Sequence, residues 1–464
     1  MVPFLGRQAE LAELKRLWDA PGPQVHVLFG RRRVGKTALL RHFLADLPHV
    51  FYQATEGSLR DNMASLLEQA STSLARPALA AAHPTDIERA LGLIVDAWSA
   101  TAHPGDRLGL VLDEVPNLFS ASPASASLLQ RFVDALPPSS PVRLFLCGSA
   151  VRVMEAEVLG QRSPLYGRRT GQLRLGPLPF AEWSPFCPSM TPRERLWLHA
   201  ATGGVPAYLV PVEGATSAPE ALQALFFRRT SLLLPEADFL LRAELSVLHG
   251  YASALRAVAG GATRLQEIAE RVGTDGRAVS RYLATLMELG YLARETSLDE
   301  PAPEKSRKGR YRVADGLLRF HFRFVHPHRD VIERGDGADL FEQRVLPHLP
   351  TFAGPTYEDV TRERLAREAK LRFGSAALHA GRLYGPWGEI DLALELMDGT
   401  WVVGECKATA APIGTDRLDD LKAKVAAVPA LKGQRVRLTL ASLSGFTPAL
   451  EKRMHEEGVE AVGE

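Results

Sequence analysis

Only three cysteines, Cys147, Cys187 and Cys406, occur in 464 residues, and they are far apart with no metal-type spacing. That excludes a disulfide framework and a cysteine zinc site, and so sparse and odd a count suits a reducing compartment. Charge of one sign is not in excess either, since the formal net charge is +1. No global field draws the whole chain to nucleic acid or membrane, so any such attraction has to be local. No apolar run approaches the ~20 residues that span a bilayer. The opening MVPFLGRQAE has no apolar signal core. The expectation is a cytoplasmic protein with no membrane partner. Internal repeats and long low-complexity tracts are missing too. What is left, 46% apolar and 23% charged residues, is an ordinary globular composition with room for roughly three domains.

Against that plain background one segment stands out. Gly30 to Thr37 reads GRRRVGKT, a complete G-x-x-x-x-G-K-[ST] loop. Val25-His26-Val27-Leu28-Phe29 before it has the apolar character of a buried strand, and Ala38-Leu39-Leu40 after it opens a helix. Strand, loop and helix are the context this motif needs. Gly30 and Gly35 let backbone N–H groups approach phosphates at a helix N-terminus. Lys36 is placed for the β- and γ-phosphates, and Thr37 for Mg²⁺. The implied ligand is a nucleoside triphosphate, ATP.

A second apolar strand, Leu108 to Leu112, runs into Asp113-Glu114, the Walker B pattern. Asp113 would hold the Mg²⁺ shell, and Glu114 would orient and deprotonate the attacking water. A third strand, Val142 to Leu146, ends in Cys147-Gly148-Ser149. Ser149 is a candidate sensor beside the γ-phosphate, with a plain strand-to-loop turn as the equal alternative.

These residues resemble the archaeal-type ATPases, in the signalling branch of the AAA+-like P-loop proteins. The resemblance covers about residues 1–330. It includes Phe4-Leu5-Gly6-Arg7 with Glu10-Leu11, which in such proteins lies near the adenine. It also includes Pro164-Leu165-Tyr166-Gly167-Arg168-Arg169, and Gly203-Gly204-Val205-Pro206-Ala207-Tyr208-Leu209 in the helical lid. A guanidinium close to the γ-phosphate stabilises transition-state charge. Arg168, ahead of Arg169, is the candidate, contributing in cis or from a neighbouring copy in a homo-oligomer. The alternative is a surface arginine in an arginine-rich chain.

Residues 264–290 have the pattern of a helix–turn–helix. Leu265, Ile268, Ala269 and Val272 recur at helical spacing, Gly273 breaks the run, and Val279, Tyr282, Leu283, Leu286 and Leu289 line a second helix that Gly290 stops. Tyr291-Leu292-Ala293-Arg294 and Arg310-Tyr311-Arg312-Val313 are the expected wing strands. From Lys305 to Arg329 there are eight basic residues and one acid, Asp315, a local net of +7. Lys305, Arg307, Lys308 and Arg310, with Arg277 and Arg281 on the second helix, are therefore candidate DNA-phosphate contacts. A solvated charge run or a protein-contact surface is the alternative.

The last 130 or so residues hold a second chemical signal. Glu389 to Leu396 alternates as a half-buried strand does. Met397-Asp398-Gly399 has the character of a turn, and WVVGECK, Trp401 to Lys407, is the return strand. Asp391 on one strand and Glu405-x-Lys407 on the next resemble the PD-(D/E)xK, restriction-endonuclease-like superfamily. Register tests the resemblance. A two-residue turn pairs 391 with 406 and sends Asp391 and Glu405 to opposite faces. A three-residue loop with Gly399 left-handed pairs 391 with 405, and Asp391, Glu405 and Lys407 then share a face. The second register is expected. Two converging carboxylates suit Mg²⁺ or Mn²⁺, with Glu358 a further candidate ligand and Lys407 orienting the nucleophile. A folded but catalytically silent domain is the alternative.

The sequence thus predicts an α/β protein in four parts. They are a P-loop ATPase core over 1–185, a helical lid over 186–240, a winged helix over 241–328 and a restriction-endonuclease-like domain over 329–464. The expected function is an ATP-regulated DNA-processing or DNA-defence factor with a metal-dependent nuclease. A nucleotide-dependent signalling switch and a DNA-binding regulator are the rivals.

Overall fold

In the computed structural model, residues 4–245 and 248–463 are described. They fall into two compact units. One runs to Leu178 and takes in Val205–Ala207, and the other holds Pro179–Gly204 and continues from Tyr208.

The first unit is built on five parallel strands. They are β1 (Gln24–Phe29), β2 (His49–Gln53), β3 (Leu108–Asp113), β4 (Val142–Gly148) and β5 (Gly171–Arg174), in the order β2-β3-β4-β1-β5. Every residue of β1, β3 and β4 is buried, as it must be when helices cover both faces of a parallel sheet. Strand alternation divides the core. Val25, Val27, Leu110, Leu112, Leu144 and Leu146 pack on one side, and Leu28, Val111 and Phe145 pack on the other against Leu14, Trp18, Leu39 and Leu40. Arg143, buried inside β4, spends its guanidinium on the carbonyls of Trp18, Ala20 and Gly22, so the end of the helix Gln8–Asp19 is satisfied.

In the second unit, helices Leu265–Val272 and Gly276–Glu288 form the helix–turn–helix. Gly273 caps the first in the left-handed conformation, and the Asp275 carboxylate accepts from Arg277 and Ala278 N–H at the start of the second. Strands β6 (Leu292–Glu295) and β7 (Arg310–Val313) pair antiparallel as the wing.

Beyond the wing, the long helix Leu349–Phe373 leads into β8 (Ala377–Gly385), β9 (Gly388–Leu396) and β10 (Trp401–Lys407). After the helix Thr415–Ala427 come β11 (Val436–Ser442), the helix Pro448–Glu457 and β12 (Glu460–Val462). The sheet order is β12-β11-β10-β9-β8, with β8, β9 and β10 antiparallel neighbours and β10, β11 and β12 parallel. The β9–β10 register pairs Leu392 with Gly404 and Glu395 with Trp401. Gly399 (φ 79°) sits left-handed in the loop, and Leu396 N–H donates to the Thr400 carbonyl at 2.9 Å. This is the three-residue turn. Leu392, Leu394, Leu396, Val402 and Cys406 accordingly form one apolar face with Tyr357 and Leu365 of the long helix.

Candidate functional site

The phosphate loop leaves β1 at Gly30. Its φ is +152°, and a Cβ there would lie 2.2 Å from the Leu175 carbonyl oxygen, so no other residue fits. Gly35, at φ +95°, turns the chain into the helix Lys36–Phe43, and a Cβ on it would stand 3.9 Å from Pro206 Cγ of the Gly203-Gly204-Val205-Pro206 segment. Lys36 is 5% exposed, and its ammonium donates to the Gly30 and Arg31 carbonyls at 2.8 and 3.0 Å. Burial lowers its pKa. Thr37 Oγ1 donates to Asp113 Oδ2 at 2.7 Å, and Asp113 is fully buried at the end of β3. Glu114 follows with φ 51°, a left-handed conformation that costs a non-glycine residue roughly 1–3 kcal/mol. Ser149 holds it there, its Oγ donating at 2.7 and 2.8 Å to the two carboxylate oxygens and its N–H at 3.2 Å. Donor N–H groups at a helix start, an ammonium seeking oxygen, and a Thr–Asp pair beside it fit ATP and Mg²⁺.

Arg168 is elsewhere. Its guanidinium forms a two-pronged pair with Asp134 at 3.1 and 3.2 Å. Two residues on, Thr170 N–H donates to Val25 O at the start of β1, whereas the phosphate loop follows its end. At ~3.3 Å per strand residue, about 13 Å of sheet separates the two. Contact with the nucleotide in cis is therefore corrected by the topology. Arg169 is likewise engaged, donating to the Leu159 carbonyl at 3.1 Å.

On the helix–turn–helix, Arg277 and Arg281 are exposed on the second helix one turn apart, and neither forms an ion pair among the described residues. The basic run that begins in the wing loop does not stay together. Lys305 and Arg307 are exposed, and Lys308 reaches Glu300 at 3.6 Å. Arg310 pairs with Glu389 at 3.1 Å, and Arg312 with Glu295 and with Asp359, the latter at 3.0 Å. Arg319 is buried over the Phe352 ring, and Arg329 pairs with Asp238 and Glu333. A single +7 patch is corrected to three exposed cations, Lys305, Arg307 and Arg323, a weakly tethered Lys308, an Arg319 held over Phe352 and several internal ion pairs. Of the acids that neutralise them, Glu295, Glu300 and Glu333 are local, whereas Asp238, Asp359 and Glu389 lie on distant stretches of chain.

In the C-terminal sheet, Lys407 Nζ donates to Asp391 Oδ2 at 3.1 Å and to Glu405 Oε2 at 2.9 Å. Asp391 also accepts from Cys406 N–H at 3.1 Å. Both acids are buried, at 9% and 3% exposure. Burial opposes the Lys407 charge, but the two carboxylates hold its pKa above the usual lysine range. Lys424, from the helix Thr415–Ala427, reaches the other Glu405 oxygen at 2.5 Å. Glu358 does not join as a third metal carboxylate. Arg382 takes its Oε2 at 3.1 Å, and no group of three acids, histidines or cysteines stands together as metal ligands among the described residues. Burial, and then the Asp391 charge, push the Glu358 carboxyl up to about 7.

Comparison with known proteins bears on these sites. Residues 4–212 match the family described as an ATPase domain predominantly from Archaea. An uncharacterized protein of Methanocaldococcus jannaschii is 30% identical over 391 residues, 84% of this chain and 83% of that one. The chain belongs to the archaeal-type ATPase family. A second protein of that organism, an uncharacterized ATP-binding protein, is 46% identical over 44 residues, 10% of this chain and 75% of its own. The Walker-type ATPase of Pyrococcus abyssi shares the fold, with a TM-score of 0.52 and 20% identity over 69% of this chain and 96% of that one. Residues 252–296 of the ATPase match the IclR helix-turn-helix domain, and 321–417 match a family of archaeal and bacterial proteins of unknown function.

Sequence reasoning missed Arg362 and Lys424, and named Arg7 without its role in organising the site. Arg7, 4% exposed and left-handed at φ 66°, donates to the Val34 and Gly176 carbonyls, bracing the phosphate loop of the ATPase. Arg362 donates to the Asp391 carbonyl at 3.1 Å. Lys424 carried no signal because its partner Glu405 lies on another element. No helix is long and apolar enough to cross a membrane among the described residues.

Proposed function

We propose that this ATPase is a DNA-processing protein in which an ATP-hydrolysing domain governs a DNA-binding winged helix and a restriction-endonuclease-like domain. The proposed boundaries are 1–185 for the ATPase core, 186–240 for the lid, 241–328 for the winged helix and 329–464 for the nuclease. At the ATP site Lys36 neutralises phosphate charge, and Thr37 and Asp113 hold Mg²⁺. Glu114, held by Ser149, takes the proton of the attacking water. Arg168 would act only from a neighbouring copy.

One observation carries the nuclease reading. The β9–β10 register puts Asp391, Glu405 and Lys407 on one sheet face, with Lys407 bridging both carboxylates. The order helix, three antiparallel strands, helix and parallel strand supports the same reading. Mg²⁺ at the two carboxylates would polarise a phosphodiester, while Lys407 orients the water. Incubation of the full chain with linear, circular and single-stranded DNA, Mg²⁺ and ATP tests this. Cleavage by the wild type and none by Asp391→Ala, with ATP turnover intact, is the expected result. A second reading, a nucleotide-dependent switch with a silent C-terminal domain, is favoured by the capture of Glu405 by two lysines and of Glu358 by Arg382. Wild-type protein that cuts nothing in any of these conditions would select it.

A further inference from the structure

The wing is not a free arm. Its second strand carries Arg310 and Arg312, and both point into carboxylates of the C-terminal sheet and its long helix. Arg310 lies 4.1 Å over the Tyr384 ring and pairs with Glu389. Arg312 spans Glu295 on the wing and Asp359 on the long helix. Arg382 sits among the same acids, 2.9 Å from Glu389 and 3.5 Å from Glu295. The wing loop is also tied by backbone. Leu298 N–H donates to the Arg382 carbonyl at 2.9 Å, Tyr384 N–H donates to Ser297 Oγ at 3.0 Å, and Tyr384 Oη donates to the Glu295 carbonyl at 3.0 Å. These contacts cover β8, the edge strand of the sheet, which would otherwise offer unpaired backbone groups.

We propose that Arg310 and Arg312 form a binding site for the phosphate backbone of a DNA duplex, and that Glu295, Asp359 and Glu389 occupy it as an internal phosphate mimic. Spaced carboxylates present to the two guanidiniums the same charge-assisted acceptors that successive phosphates would. The exposed Lys305 and Arg307 on the same wing make the first electrostatic contacts. A duplex that also engages Arg277 and Arg281 then competes for the two held arginines and undocks the wing from β8. This rests on the DNA reading of the winged helix and not on the nuclease reading, so the test omits divalent ions.

The geometry supplies a lock. A Cβ on Gly381 would lie 3.4 Å from Leu298 Cβ, which is close to the span of a disulfide. The three native cysteines are buried and stand aside. In the full-length Leu298→Cys/Gly381→Cys protein, affinity for a fluorescent 30-base-pair duplex is measured across a salt series, oxidised and after dithiothreitol. The oxidised form should bind about tenfold more weakly, with a log–log salt slope shallower by about two units, one per arginine withheld. Reduction should restore both. Glu389→Gln/Asp359→Asn, which folds or fails independently of the disulfide, should bind more tightly than wild type with a steeper slope. Equal binding by oxidised and reduced protein, or tighter binding when locked, overturns the mimic alone. Absence of binding in every form overturns the DNA reading beneath it.

Discussion

The phosphate loop and the C-terminal carboxylate cluster are built in opposite ways. The first is nearly continuous. Eight residues from Gly30 to Thr37 supply backbone, cation and hydroxyl, and its acids, Asp113 and Glu114, stand at the end of β3, separated from β1 by β4. The second is assembled from four elements, the long helix, β9, β10 and the helix Thr415–Ala427, and no two of its charges except Glu405 and Lys407 are close in sequence. Both share one device, in that the candidate acid is held by a nearby donor, Glu114 by Ser149 and Glu405 by Lys407 and Lys424. A backbone-built site depends on what a single residue can conform to, whereas an assembled site depends on register and ion pairing.

The largest expected effect separates the two by function. Lys36→Ala should lower ATP turnover by about 100-fold or more, because it removes the charge facing the phosphates. Glu114→Gln should retain nucleotide binding and lose hydrolysis. Nucleotide binding and phosphate release measured side by side check both, and wild-type turnover by Glu114→Gln would mean that another group is the base.

Two left-handed glycines sharpen the contrast further. At Gly30 a methyl group collides with the Leu175 carbonyl at 2.2 Å, so Gly30→Ala should displace the loop and cost more than about tenfold in nucleotide affinity. At Gly399 nothing lies within 4 Å of the added methyl. Gly399→Ala should cost only about 1 kcal/mol of stability, read from denaturant unfolding, with the ATPase rate unchanged. If both variants lose nucleotide affinity equally, the steric account of Gly30 fails.

Ser149→Ala should be milder. Glu114 keeps the backbone donor and loses the hydroxyl, so the hydrolysis rate should fall by about tenfold with little change in ATP affinity. A changed affinity without a changed rate would instead favour direct contact of Ser149 with the nucleotide.

Acid should act on both units, and least specifically. His26 and His321 are pushed down to about 4 and His199 to about 3, in each case first by burial. They are neutral in the folded protein and charge in the unfolded one below about 6.5. The unfolded state therefore binds more protons, and stability present above pH 6.5 is lost as the pH falls toward 4. At pH 5 each site contributes on the order of 2 kcal/mol of that loss. Unfolding midpoints between pH 7 and 4.5 should fall in wild type and fall less in His26→Phe. Equal slopes would mean that other groups carry the acid response.

Much of the fold was written in local pattern. The phosphate loop, the Asp113-Glu114 strand end, the helix–turn–helix with Gly273 between its helices, the two wing strands and the β9–β10 register all follow from turn chemistry and apolar period. These depend on neighbours a few residues away. Gly399 needed only its own left-handed conformation to bring Asp391 opposite Glu405.

What the sequence could not set was which charge meets which. Arg168 pairs with Asp134, Arg310 with Glu389, Glu358 with Arg382 and Lys424 with Glu405, across separations of 34, 79, 24 and 19 residues. A charged side chain carries no record of its partner, because Coulomb attraction is indifferent to chain position and acts only once packing has fixed the distance. The sequence by itself determined the phosphate loop, the strands and their facing. Only the tertiary structure decided that the basic wing is held by acids of the C-terminal sheet and its long helix, and that the third carboxylate is already taken.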